Sequence, residues 1–467
     1  MLKKYFLPLL ISIFIFSCNG IDYITDESAK LSFSVDTVMF DTVFTTIGSA
    51  TERLMVHNEH DLPIIITSIN LAGGSNSSYR LNIDGIPDNK ATEIEIAAHD
   101  SMYIFVEVTV DPNRDQMVEQ DSIIFVTNGN YQDVDLVAFG QDVNLINGEI
   151  IGSQIWTNEK PYLIYNSMLV DTLETLQIEQ GTQLYFHQDS YLFVKGSLIV
   201  NGTLDLPVTF QGDRLESYYD EGPGQWGGIW LAAGSHDNFI NFAKIKNANY
   251  GIRIDTLVNP SVPNLTLLNT EIVHHTIAGI YALGTNIVAA NCLIADCGVY
   301  SVALLLGGNY SFFNCTIANY WKWGPRLGPA LALNNYLTYN NIDHYWGHLS
   351  ASFANCIIWG SQESEFVPDA FNIEGGMSFT FDHCVARVKP EIYQSIQNLF
   401  LDCKVNKNFG FKAVEDYDFR LDTLSSAKDS ANLQVITNNI GILQFDLEGN
   451  DRLIDAGPDI GVYERIE

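Results

Sequence analysis

Between Cys18 and Cys292 the sequence contains no cysteine, so the first half of the chain does not rely on disulfides. Basic residues are also scarce: 24 Lys and Arg stand against 56 Asp and Glu, a formal net charge of −32. Phosphate binding needs clustered Lys and Arg, and no such cluster occurs, which argues against a nucleic-acid partner. A polyanionic ligand would need a bridging cation such as Ca²⁺. Beyond the first residues there is no apolar run long enough to cross a bilayer, no Asp-Asp pair and no Gly-His-Gly. Hydrophobic residues nevertheless make up 46% and aromatics 12%, too much for a disordered chain. The length allows two or three domains with sizeable cores.

The chain opens Met1-Leu2-Lys3-Lys4, followed by an apolar run from Tyr5 to Phe16 and then Ser17-Cys18. Two lysines, a short hydrophobic stretch and a small residue before the break predict a signal peptide over 1–17. Ile15-Phe16-Ser17-Cys18 resembles the lipobox of bacterial lipoproteins. That resemblance implies diacylglyceryl attachment to Cys18, anchoring in the cell envelope and, with Asn19 following, the outer membrane. Several acyl chains on one cysteine hold a protein durably to a membrane.

Residues 24–145 alternate apolar and polar in short runs between turn residues. Examples are Leu31–Val35, Arg53–Val56, Ile64–Thr67, Tyr79–Ile83, Glu93–Ile96, Met102–Val106, Ile123–Val126 and Val134–Ala138. This pattern predicts an antiparallel β-sandwich. Val56-His57-Asn58 early, with Asp100-Ser101-Met102 before a long apolar strand, resembles the immunoglobulin-like ASPM/SPD-2/Hydin type, which implies spacing or protein contact. Asp-Ser/Thr-aliphatic triplets, such as those starting at Asp41, Asp100, Asp121, Asp171 and Asp422, resemble O-glycosylation sites of exported proteins, and turn-to-strand starts produce the same triplet.

From 146 to 440 the sequence repeats. Gly181-Thr182 and Gly202-Thr203 stand 21 residues apart, and Ile245, Ile272, Ile294 and Ile317 are separated by 27, 22 and 23. Asn291-Cys292, Asn314-Cys315 and Asn355-Cys356 recur in one phase, with His383-Cys384 as a degenerate copy. A period in this range means stacked units. Short strands, Gly-Thr and Asn at turns and no leucine-rich frame predict a parallel β-helix with Cys and Ile inward and Asn in a ladder. The stacked thiols are core residues or disulfide partners. Gly196–Thr203, Pro207–Phe210 and Gly224–Leu231 resemble bacterial lipoproteins of the right-handed β-helix superfamily that includes pectate lyases and polygalacturonases. The segment 441–467, with Gly457-Pro458-Asp459-Ile460-Gly461, resembles the terminal segment of secreted β-helix proteins, which implies a cap on the last coil. Asp446, Asp451 and Asp459 are its candidate Ca²⁺ ligands.

The superfamily's hydrolases need paired carboxylates, and its lyases need Ca²⁺-binding carboxylates with an Arg or Lys base. The candidates here are Asp382 beside His383, and Asp213-Arg214 with Asp220-Glu221. A third candidate is the 41-residue interval between Cys315 and Cys356, which carries Trp321, Trp323, Arg326, Tyr345 and Trp346. Its aromatic rings suit sugar faces, and loops on a rigid scaffold are where binding is placed. The favoured expectation is a non-catalytic outer-membrane lipoprotein presenting a β-helix flank to a glycan or envelope protein. The alternative is a lyase or hydrolase of acidic polysaccharide.

Overall fold

The structure is a computed structural model that describes residues 22–467 apart from 46, 113–116, 256–262, 340–342, 371–375, 408 and 466–467; for Tyr339, Asp343 and His344 it describes the backbone alone. The expected signal peptide over 1–17 and Cys18 therefore lie outside the described residues. The chain divides into two compact units, Met1–Asp142 and Val143–Glu467.

In the first unit the strands alternate inward and outward residues, as the sequence pattern requires, with the alternation of Ile64–Leu71 broken between Ile66 and Ser68. Ile104, Val106 and Val108 on Ser101–Val108 are fully buried, as are Ile64, Ile66 and Ile69 on Ile64–Leu71. One sheet runs in the order Ser32–Phe33, Glu52–His57, Ser101–Val108, Tyr79–Ile83. The other runs Thr37–Phe44, Asn130–Gln141, Val118–Thr127, Ile64–Leu71, Lys90–Ile96. Their inner faces share one core, which makes a β-sandwich. It is not wholly antiparallel, because Thr37–Phe44 pairs with Asn130–Gln141 in parallel. In five of the Asp-Ser/Thr triplets the carboxylate accepts the next residue's N–H, as at Asp100 and Ser101, 2.8 Å. That is the turn-to-strand geometry.

The second unit is a three-sided parallel β-helix built on one 26-stranded sheet. Equivalent residues of successive coils pair in register, so one side chain stacks on the next. Trp156, Ile178, Val200, Ile240, Leu267, Ala289, Phe312, Phe353, Phe381 and Phe400 form such a column along the first side. Its end is a stack of rings, with Phe353 to Phe381 at 4.9 Å and Phe381 to Phe400 at 4.5 Å. Ile245, Ile272, Ile294, Ile317 and Ile358 make the column of the second side, all fully buried. Burying each such side chain is worth about 1.5–3 kcal/mol.

The corner between these sides demands a left-handed residue. Phe242, Asn269, Asn291, Asn314, Asn355, His383 and Asp402 occupy it with φ between 47° and 55°. Asn suits the position because it tolerates that backbone and can hydrogen-bond along the column. Asn269 donates to Asn241 at 2.8 Å, Asn291 to Asn269 at 3.1 Å and Asn355 to Asn314 at 3.3 Å. His383 stands in the same column, which explains the degenerate repeat.

The tail corrects one expectation. Residues 421–465 run along the flank instead of closing the end of the last coil, which they meet from the side where Lys404 donates to Ser426 O and Ser430 Oγ. Leu421, Ala427, Leu447, Ile460 and Val462 cover Leu293, Ala295, Ala318, Ile357 and Val385, outward residues of the second side. Buried Arg452 reaches Asn291 at 2.9 Å, and Asn432 donates its N–H to Asn355 at 2.7 Å. The end of the main core is instead met by the short helix Pro390–Ile396, where Tyr393 packs edge-on against Phe400 at 5.5 Å.

Candidate functional site

At the corner between the second and third sides most coils turn in a few residues, as from His275 to Ala278. Two coils do not. One leaves after Gly212 and returns at Trp226, and the other leaves after Asn319 and returns at Leu331. Register places Gly212, Asn247, His274, Asp296 and Asn319 in one column, so both excursions leave the same edge. Between them lies a cavity of about 580 Å³, lined by His187, Gln188, Asp213, Arg214, Tyr218, Tyr219, Gln225, Thr276, Trp321 and Trp323 among others. Two separate sequence candidates, Asp213-Arg214 and Trp321 with Trp323, thus meet in one place.

Stacking builds the wall. Tyr165, His187 and Asp213 are equivalent residues of three successive coils, each following one of the register-paired residues Ile164, Phe186 and Gly212. The imidazole lies flat on the Tyr165 ring at 4.0 Å, and His187 Nδ1 meets Asp213 Oδ2 at 2.7 Å. Asp213 is largely covered while His187 is nearly half exposed. Burial, with the Asp213 carboxylate beside it, raises the Tyr165 hydroxyl pKa well above its ordinary value. With Nδ1–H donated to the carboxylate, Nε2 of a neutral His187 is left as an acceptor. Arg214 is gripped by Glu216 through Nη2 at 2.7 Å and lies 4.2 Å from the centre of the Tyr219 ring. Gln225 donates to the carbonyls of Tyr219 at 2.6 Å and Gly222 at 2.7 Å, closing the excursion on itself. Tyr218 and Trp323 stay open to solvent, at 79% and 45% exposure.

Asp220 and Glu221 serve as anchors, pairing with Lys246 at 3.5 Å and Lys322 at 3.7 Å. Arg326 is not available to a ligand. It is buried, paired with fully buried Glu365, and it donates to the carbonyls of Asn319 and Gly328. Tyr345 and Trp346 belong to a separate hairpin, Tyr336–Tyr339 with Asp343–Trp346, which leaves the following corner after the strand Leu331–Asn334. They are solvent-facing, at 61% and 54% exposure, and do not join Trp321. Asp382 bonds His383 Nδ1 at 2.7 Å and accepts from Asn432 at 3.0 Å, at the first corner under the tail.

Asp446 accepts N–H groups of Glu448, Asn450 and Glu464, Asp459 those of Asp429 and Arg465, and Asp451 that of Leu453. Their oxygens order the tail, and no group of three or more His, Cys, Asp or Glu side chains is placed to share a metal among the described residues.

The edge under the two excursions holds groups that sequence reasoning missed. Asp296 is buried with φ of 55°, and Oδ1 accepts the Tyr320 N–H at 2.7 Å, fixing the peptide that begins the Trp321 excursion. Oδ2 has no hydrogen-bond partner among the described residues. Burial pushes the Asp296 carboxyl up to about 7. On the preceding coil burial pushes His274 down to about 4, with Lys246 and Lys322 adding to it, so it is neutral and packs edge-on against Tyr417 at 4.3 Å. The signal for His187 was available in its position one residue after Phe186, which matches Asp213 after Gly212. His274 and Asp296 carry the Asn247 and Asn319 phase in the same way.

No family model matches the chain, and no curated protein matches it. Among solved structures, the E. coli chaperone DraB aligns over 24% of this chain and 55% of its own, at 11% identity and a TM-score of 0.18. A family 123 glycoside hydrolase from Clostridium perfringens aligns over 28% of this chain and 30% of its own, at 8% identity and a TM-score of 0.19. The chain therefore spans about half or less of each, and neither likeness reaches a level from which function follows.

Proposed function

We propose that this chain is an exported, lipid-anchored β-helix protein that holds a glycan in the flank cavity without altering it. The observation that carries the reading is the meeting of Trp321, Trp323, Tyr218 and Tyr219 with His187, Asp213 and Arg214 around about 580 Å³. Aromatic faces take the apolar sides of sugar rings, while a few polar groups fix hydroxyls and orientation. Arg214, with its charge shared by Glu216, can meet a uronate or sulfate only partly, so neutral or singly acidic units suit the site. The export and anchoring part rests on Lys3-Lys4, the apolar run and Ile15-Phe16-Ser17-Cys18. The sandwich is proposed as an immunoglobulin-like spacer between lipid and β-helix, and the outer membrane as the site of anchoring.

The second reading, turnover of an acidic polysaccharide, is favoured by one observation. His187, backed by Asp213, faces the same cavity as Arg214, which is a proton acceptor beside a cation. Protein lacking Cys18 is incubated with acidic and neutral polysaccharides, with and without Ca²⁺, following retention, new reducing ends and unsaturated-uronate absorbance. Retention without turnover, lost in Trp321→Ala and Trp323→Ala, supports the binder. Turnover lost in His187→Ala establishes the enzyme instead, and neither retention nor turnover overturns both readings.

A further inference from the structure

One residue past the left-handed corner, Cys292, Cys315, Cys356, Cys384 and Cys403 occupy a single column on five successive coils. The backbone between them is continuous: Thr316 N–H donates to Cys292 O at 2.9 Å, Ile357 to Cys315 O at 2.9 Å, Val385 to Cys356 O at 3.0 Å and Lys404 to Cys384 O at 2.8 Å. In-register strands lie about 4.8 Å apart, inside the range of about 4.4–6.8 Å that disulfide-bonded Cα atoms span. All five are free thiols, four of them buried; Cys403 alone is partly exposed. Cys384 N–H donates to Cys403 Sγ at 3.2 Å, which brings that sulfur against the Cys384 backbone. The coil that carries Cys403 also has short strand pairing to its predecessor, Phe381–Asp382 with Phe400–Leu401 and Val385–Ala386 with Lys404–Val405.

We infer that Cys384 and Cys403 are a redox modification site: a disulfide between them, made by exchange with a small-molecule or protein disulfide, clamps the last coil, while Cys292, Cys315 and Cys356 stay reduced. The Cys403 thiolate attacks one sulfur of the oxidant disulfide, forming a mixed disulfide and releasing one oxidant thiol. Cys384 then attacks the Cys403 sulfur as its thiolate, forming the intramolecular bond and releasing the second thiol. The two cysteines lose two electrons and two protons, and the oxidant gains both as two thiols. Access selects the pair, because Cys403 is the only thiol of the column an oxidant can meet and Cys384 is its only neighbour.

The test treats the folded chain with oxidised glutathione, alkylates remaining thiols and maps peptides by mass spectrometry. One bond joining Cys384 to Cys403 is expected, with Cys292, Cys315 and Cys356 alkylated only after unfolding. Amide exchange across Phe400–Val405 should slow about tenfold on oxidation. Cys403→Ser should leave the other four thiols of the column reduced, and Cys384→Ser should trap glutathione on Cys403. The inference is overturned if unmutated protein keeps glutathione on Cys403, keeps both thiols free, or joins another pair first. Should Cys384→Ser not fold, the unmutated chain and Cys403→Ser decide alone.

Discussion

The His187 imidazole meets the Asp213 carboxylate at 2.7 Å across 26 residues of sequence, because one turn of the β-helix separates them. Asp213 is the largely covered partner and His187 the accessible one. Replacing Asp213 by Asn should therefore disturb imidazole orientation without unfolding the coil. Glycan affinity in Asp213→Asn is expected to fall about fivefold to tenfold by calorimetry, the scale of one charge-assisted hydrogen bond. Unchanged affinity would remove the pair from the site.

Trp321 and Trp323 line the cavity, whereas Trp346 sits on the hairpin at another corner. Trp323→Ala should weaken retention on a glycan column by about 1 kcal/mol or more, and Trp346→Ala should leave it unchanged. Equal losses would mean that the binding surface extends around the corner.

Arg326 and Glu365 form a buried ion pair, and Glu365 also accepts the N–H groups of Ala330 at 2.9 Å and Gln362 at 2.7 Å. Removing one partner leaves an uncompensated charge beside a strand start. Arg326→Met should cost about 3–5 kcal/mol in urea unfolding. A cost below about 1 kcal/mol would show that the pair is dispensable.

Asp296 gives a pH test. Its carboxyl is raised from 3.8 to about 7 by burial. Between those values the native chain holds a proton that the unfolded chain has released, so this group's contribution to stability falls as pH rises and levels off above about 7. Asn mimics the protonated form and keeps the oxygen that accepts the Tyr320 N–H. The stability of Asp296→Asn relative to the unmutated chain should therefore grow from pH 5 to pH 8, by on the order of 1–3 kcal/mol. Comparing the two chains cancels the opposite contribution of His274. A flat difference across that range would refute the assignment.

Asn355 carries a left-handed φ of 55°, donates to Asn314, and ties the tail through Asn432. Asn355→Ala should destabilise by about 2–4 kcal/mol through lost hydrogen bonds and an unfavourable backbone. His383→Asn, which restores the commoner residue of the column, should be neutral or stabilising, and thermal melts of both variants read the two effects.

Local chemistry made much of the fold legible. Alternation marked eight of the sandwich strands, and Ile245, Ile272, Ile294 and Ile317 marked one inward column because a solenoid must repeat what it stacks. Asn and Cys in fixed phase marked the corner and the thiols beside it. Thr37–Phe44 passed unread because two apolar stretches split by Asp41-Thr42 resemble turn starts, and its parallel pairing follows from the strand beside it.

The site was half legible. Asp213, Arg214, Trp321 and Trp323 were visible as residue types, yet they lie about a hundred positions apart in the sequence, and only the stacking of coils brings their excursions to one edge. Composition and period determined that this chain would bury stacked aliphatic columns in a parallel β-helix. Tertiary structure alone decided that Arg326 is neutralised inside by Glu365, that Tyr345 and Trp346 turn another corner, and that the tail covers a flank. The physical reason is that inward residues answer to burial, which each residue carries in its own chemistry, whereas loop residues answer to partners whose identity the register of distant coils selects.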